Sequence, residues 1–143
     1  MSDEKRNKKL RVIYVEPGKR AQTIEIDDDL KAMQNLVGGM IEEYMPFEDD
    51  VAIICNDEGK MLGLPLNRGI RGEDGQLQDI IAGDFFVCYA PIESEKFLSM
   101  PPYLEEMYKE KFDYPEQFFR SEDGIKGIQY DPGKGDRSQE TCR

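Results

Sequence analysis

Val51 to Gly72 reads VAIICNDEGKMLGLPLNRGIRG: an apolar run, a polar turn, a second apolar run and a polar exit. Val51 to Cys55 is apolar at every position and rich in β-branched residues. Five residues are too few for a stable helix, so the run predicts a strand buried on both faces. Asn56, Asp57, Glu58 and Gly59 then read as a turn. Asn and Asp bond their side chains to nearby backbone, and Gly59 is expected in the left-handed conformation of a bulged type I turn. The return run, Met61 to Leu66, puts Leu62, Leu64 and Leu66 on one face. Val51 to Leu66 is therefore expected to be an antiparallel hairpin, packed beneath a helix over Asp27 to Val37. Pro65 cannot donate a ladder bond, which sets the end of the strand at an edge or bulge.

Asn67 and Arg68 follow directly, and the reading places them at an open rim of the sheet. The planar donor fork of Arg68 suits a carboxylate or phosphate, and Asn67 can both donate and accept. With Arg71 and Lys60 they form the candidate ligand-binding set. The competing reading is a structural Arg68 paired with one of many nearby carboxylates.

The charge is uneven. The whole chain of 143 residues carries −11. Met1 to Arg20 holds seven cations and three anions, whereas Ala21 to Asp123 holds eight cations and twenty-four anions, a net of −16. Such a domain does not offer duplex DNA a broad phosphate-contact surface. It fits a cationic protein surface, imitation of nucleic acid, or solubility alone.

Working outward, Leu10 to Val15 and Ala21 to Ile26 read as strands around a Glu16–Lys19 turn. Gly18-Lys19 lacks the spaced glycine and the following Ser or Thr of a phosphate loop. Asp27 to Val37 has Leu30, Met33, Leu36 and Val37 at helical spacing, an acidic start and a Gly38-Gly39 stop. Met40 to Met45 is a short strand, and Gly69 to Leu77 an exposed loop. Phe85 to Tyr89 is the last clear strand. Beyond Pro91, Pro102 opens a helix through Lys111 with Leu104, Met107 and Tyr108 as its stripe. Phe112 to Phe119 continues an aromatic segment, either docked on the core or open to a partner or a second copy of the chain. The fold expected is α+β: a small, mostly antiparallel sheet with one main packed helix and a C-terminal helical extension. The divisions are a flexible basic N-terminus at 1–9, a core at 10–91, the extension at 92–120 and a disordered tail at 121–143.

Val15-Glu16-Pro17-Gly18-Lys19, Leu36-Val37-Gly38-Gly39 with Ile41-Glu42, Asn56-Asp57-Glu58-Gly59-Lys60, Leu64-Pro65-Leu66-Asn67-Arg68 and Ile80-Ile81-Ala82-Gly83-Asp84-Phe85 follow one another in this order. Through them the chain resembles, from about Val12 to Val87, the domain-of-unknown-function family DUF3846. It implies an accessory role in phages, plasmids or other mobile elements and brings no activity with it. Residues after about Pro91 are expected to fall outside it.

The chain has no His, which removes the usual general base, the Ser-His and Cys-His nucleophile pairs and ordinary zinc sites. No catalytic residue, metal or cofactor is assigned. Asp27 to Asp29 and Glu48 to Asp50 remain as hard-cation ligands for an alternative, a metal-dependent phosphohydrolase. Cys55 and Cys88 sit in apolar strands and read as small core residues; Cys142 has no paired spacing with them. With no signal-peptide pattern and no membrane-length apolar run, the cytoplasm is expected. The favoured reading is a small non-enzymatic binding protein, acting against host defence by sequestering a nucleotide-like signal or occupying a host protein. Its partners are then a small anionic ligand or that host protein, with a homo-oligomer as an option, and neither duplex nucleic acid nor membrane.

Overall fold

The computed structural model describes residues 8–133. Five strands make one antiparallel sheet: β1 (Lys9–Val15), β2 (Gln22–Asp27), β3 (Ile41–Tyr44), β4 (Val51–Asn56) and β7 (Phe85–Tyr89), in the order β2-β1-β7-β4-β3. Side chains alternate across a strand, so three apolar central strands supply two cores. Ile13, Val15, Ile53, Phe85 and Val87 face one way. Leu10, Val12, Ile54, Phe86 and Cys88 face the other.

The second face is closed by α1 (Leu30–Val37), whose Met33 and Val37 are buried against it. Asp29 caps the helix, its Oδ1 accepting from the Ala32 amide at 2.7 Å. Gly38 ends it in the left-handed conformation, φ 80°. The first face is closed by α2 (Pro102–Lys111) together with a hairpin of β5 (Leu66–Arg71) and β6 (Leu77–Ala82). Met100, Leu104, Tyr108 and Phe112 lie in the same core as Ile70 and Phe85, so the residues beyond Pro91 pack into the sheet's own core. The fold is α+β with a mostly antiparallel sheet, as the patterning predicts, and no helix among the described residues is long and apolar enough to cross a membrane.

Three expectations are corrected. Val51 to Leu66 is not a hairpin. Both edges of β4 are taken, by β3 and β7, so a return strand has nowhere to pair. Residues 57–63 instead coil into tight turns, with the Leu62 amide donating to Glu58 O at 2.8 Å and the Leu64 amide to Gly59 O at 3.0 Å. The left-handed glycine there is Gly63, φ 72°, not Gly59. Gly59 is needed for closeness: a Cβ on it lies 2.7 Å from Ala82 O. Second, the exposed loop expected over Gly69 to Leu77 is shorter. Strand β5 runs on to Arg71 and buries Ile70. Third, Ser121 does not begin a disordered tail. Chain 124–129 is β9 (Gly124–Gln129), paired in register with β8 (Glu116–Ser121). The expectations for residues 1–7 and 134–143, with Cys142, lie outside the described residues.

Candidate functional site

The open rim expected for Asn67 and Arg68 is corrected by the structure: Asn67 is 0% exposed and Arg68 1%. The β5–β6 register slips between Leu66 and Arg68, and this bulge re-aims the side chains. Asn67 Nδ2 donates to Val15 O (3.0 Å) and Gly83 O (2.8 Å). Arg68 Nε donates to Phe112 O (3.0 Å), Nη2 to Lys19 O (2.6 Å), and Nη1 to Asn67 Oδ1 (2.9 Å) and Glu16 O (3.4 Å). Its partners are main-chain carbonyls and an amide oxygen. The guanidinium ties β5 to the β1–β2 turn and to the end of α2, a task a planar five-donor fork suits. Burial pulls its pKa down to about 10, against the attraction of Glu116, so it is cationic at neutral pH.

Arg71 and Lys60 take a different place. Arg71 Nη2 donates to Glu116 Oε2 (2.7 Å) and Gly127 O (3.1 Å), and Glu116 Oε1 accepts from the Gly69 amide (2.7 Å). Glu116 thus clamps the β5–β6 hairpin to the β8–β9 hairpin. The close approach needs Gly127, where a Cβ would lie 2.8 Å from both Glu116 Oε2 and Phe118 Cε1. Lys60 donates to Asp79 Oδ1 at 2.7 Å. Burial pushes the Asp79 carboxyl up, but Lys60, the Ile80 amide and Tyr44 outweigh it and hold the group below its usual range.

Between the two hairpins runs a groove of about 710 Å³. Lys60 and Arg71 line it, joined by Lys126, whose ammonium has no ion pair or hydrogen-bond partner among the described residues. Leu66, Leu77, Ile80 and Ile125 supply apolar wall, Gln76 and Gln78 neutral polar groups, and Asp79 and Asp123 the acids. The structure therefore brings two of the four candidate residues to one groove and puts the other two inside the fold. Sequence reading missed Lys126, although Asp123-Gly124 between aromatic and Ile-containing runs is a hairpin signal.

The acidic runs are dispersed. Asp27 pairs with Lys9 at 2.6 Å, Asp29 caps α1, and Asp49 accepts from the Tyr108 hydroxyl at 2.7 Å. Among the described residues no three Cys, Asp or Glu side chains converge to hold a metal ion. Burial pushes the Cys55 thiol up to about 11 and the Cys88 thiol higher still, which suits core packing and not nucleophilic attack.

No curated protein and no solved structure is matched by this chain. One family model does match, over residues 10–113, past the 12–87 span of the resemblance and through α2. The same stretch holds the whole five-stranded sheet but for Lys9, both helices, and the buried Asn67–Arg68 pair. The chain belongs to the family described as Domain of unknown function (DUF3846).

Proposed function

We propose that the protein is a non-catalytic binding module that holds a small anionic molecule in the groove between the β5–β6 and β8–β9 hairpins. One observation carries this reading: Lys60, Arg71 and Lys126 gather around a single groove in a strongly acidic chain. Arg71 is oriented through Nη2 by Glu116 and Gly127, which leaves Nε and Nη1 without a hydrogen-bond partner among the described residues. Lys126 is unpaired in the same sense. Apolar wall with a few placed polar groups is the usual make-up of a small-molecule site, and 710 Å³ falls in the usual range of roughly 300–1,000 Å³. Asn67 and Arg68 support it from beneath by fixing the strand that carries Arg71.

In the phage or mobile-element setting that the family resemblance implies, such a module would sequester a nucleotide-like signal in the host cytoplasm. The test begins with native mass spectrometry of protein purified from cells, read for a retained small molecule. Adenosine monophosphate then serves as probe in calorimetric titrations of wild type, Lys126→Glu and Lys60→Glu. A charge-assisted bond contributes roughly 1.5–3 kcal/mol, so each reversal is expected to weaken binding at least about tenfold. Binding that neither variant alters would overturn the assignment of this groove.

A further inference from the structure

The opposite face of the sheet carries a second groove, of about 730 Å³, between the start of α1, β3 and residues 90–97. Its floor is apolar, with Met33 buried and Phe97 packed against the α1 core. Its rim leaves three large apolar side chains in water: Ile92 at 92% exposure, Leu30 at 55% and Met45 at 43%. Single exposed apolar residues are ordinary, but three around one concavity form the kind of patch that marks an interaction site. Asp28, Asp29, Glu43, Asp50 and Glu95 also line the groove, against one cation, Lys96.

We propose that this groove docks an amphipathic, Lys- and Arg-rich segment of a different protein. The charge selects the occupant. A second copy bound through the same face sets a net −4 lining against itself. Nucleic acid and anionic membrane meet the same repulsion. A basic amphipathic segment lays Leu, Ile or Phe side chains on Leu30, Met45 and Ile92. The aliphatic stems of its Lys and Arg cover the remaining apolar surface while their heads reach the carboxylates. Those carboxylates speed encounter and exclude acidic competitors, and the apolar contacts hold the complex. This surface lies across the sheet from the hairpin groove and does not depend on it.

The test uses the full chain and three labelled peptides, read by fluorescence anisotropy. One has Leu at helical spacing with Lys elsewhere, one replaces each Leu by Ser, and one replaces each Lys by Glu. The Leu/Lys peptide is expected to bind, more weakly as salt is added. The Ser and Glu peptides are expected to bind at least about tenfold more weakly. The double variant Leu30→Ser, Ile92→Ser alters two exposed residues and should weaken binding by a similar factor. Glu43→Lys with Glu95→Lys should do the same, while Glu106→Lys with Glu110→Lys, an equal charge change on α2, should not. Thermal melts confirm that each variant is folded. Three results overturn the proposal: equal binding of the Lys/Ser peptide, unchanged binding by the double Ser variant, or a wild-type dimer that Ile92→Ser converts to monomer in sedimentation.

Discussion

Arg68 offers the sharpest test of how this fold is held. Replacing it with Met keeps much of the volume and removes every donor. The carbonyls of Phe112 and Lys19 and the Oδ1 of Asn67 then lose bonds of 3.0, 2.6 and 2.9 Å. Each polar group left unsatisfied in a buried place costs about 1–3 kcal/mol. Removing the cation gives part of this back, because a buried charge carries a desolvation penalty of its own. The net expectation is a loss of roughly 3 kcal/mol, or about 10 °C in melting temperature for a chain of this length. Arg68→Ala should lose more, since it also opens a cavity. Arg68→Lys should fall between Met and wild type: one ammonium cannot reach the turn carbonyl of Lys19, the helix-end carbonyl of Phe112 and the Asn67 amide together. The assay is urea unfolding followed by circular dichroism, with the midpoint and slope compared across the series. An Arg68→Met variant within about 0.5 kcal/mol of wild type would refute the reasoning, because surface substitutions have effects of that size.

Other outcomes follow from single contacts. Gly59→Ala should destabilise by about 1–3 kcal/mol in the same urea assay, because its Cβ meets the Ala82 carbonyl at 2.7 Å and backbone cannot step aside. Gly63→Ala meets nothing within 4 Å but must hold φ 72°, so about 1 kcal/mol is expected. Glu116→Gln should cost about 1–3 kcal/mol and raise amide exchange in β8 more than in β4, since it weakens the link between the hairpins. Burial and a bond to Asp84 raise the Tyr14 pKa; burial and a bond to Asp49 raise that of Tyr108. A raised pKa means the unfolded phenol ionises first. Their stabilising effect is thus intact below pH 10 and falls away as pH climbs above it, and their phenolate absorbance should appear together with loss of circular dichroism.

What was legible in the sequence was what is set locally. The apolar run of β4, the Gly38 stop and Pro102 at the start of α2 each act within a few residues, and each stands where the pattern places it; the first helix, expected from Asp27, starts later, at Leu30, because Asp27 ends β2 and Asp29 is the cap. Pairing was not legible. Ile53 lies opposite Val87 on one side and Tyr44 on the other, and nothing in residues 51–66 records that both neighbours are already chosen. The same limit hid the fate of Arg68. Its position after Pro65 was read as the place where a strand gives out, whereas Arg68 lies inside β5, which begins at Leu66 and shifts register between Leu66 and Arg68. Three of the carbonyls that receive its guanidinium come from Glu16, Lys19 and Phe112, at least 44 residues away along the chain. Composition misled at β9, where Gly, Lys and Asp outweighed the hairpin signal of Asp123-Gly124.

The extent of the family match separates the two proposed binding surfaces. Lys60, Arg71 and Leu77 to Ile80, one wall of the hairpin groove, fall within residues 10–113. Asp123 to Gly127, the other wall, falls outside. The groove is composite: its matched wall supplies the oriented Arg71, its unmatched wall the unpaired Lys126, and Glu116, also unmatched, holds the two in register. The proposed binding there is accordingly expected of this chain and not of a relative without a β8–β9 hairpin. The acidic groove differs, because every residue that lines it, from Asp28 to Phe97, lies inside the matched stretch. A relative that keeps apolar groups at the positions of Leu30, Met45 and Ile92 and acids around them should bind the same Leu/Lys peptide, with or without the second hairpin.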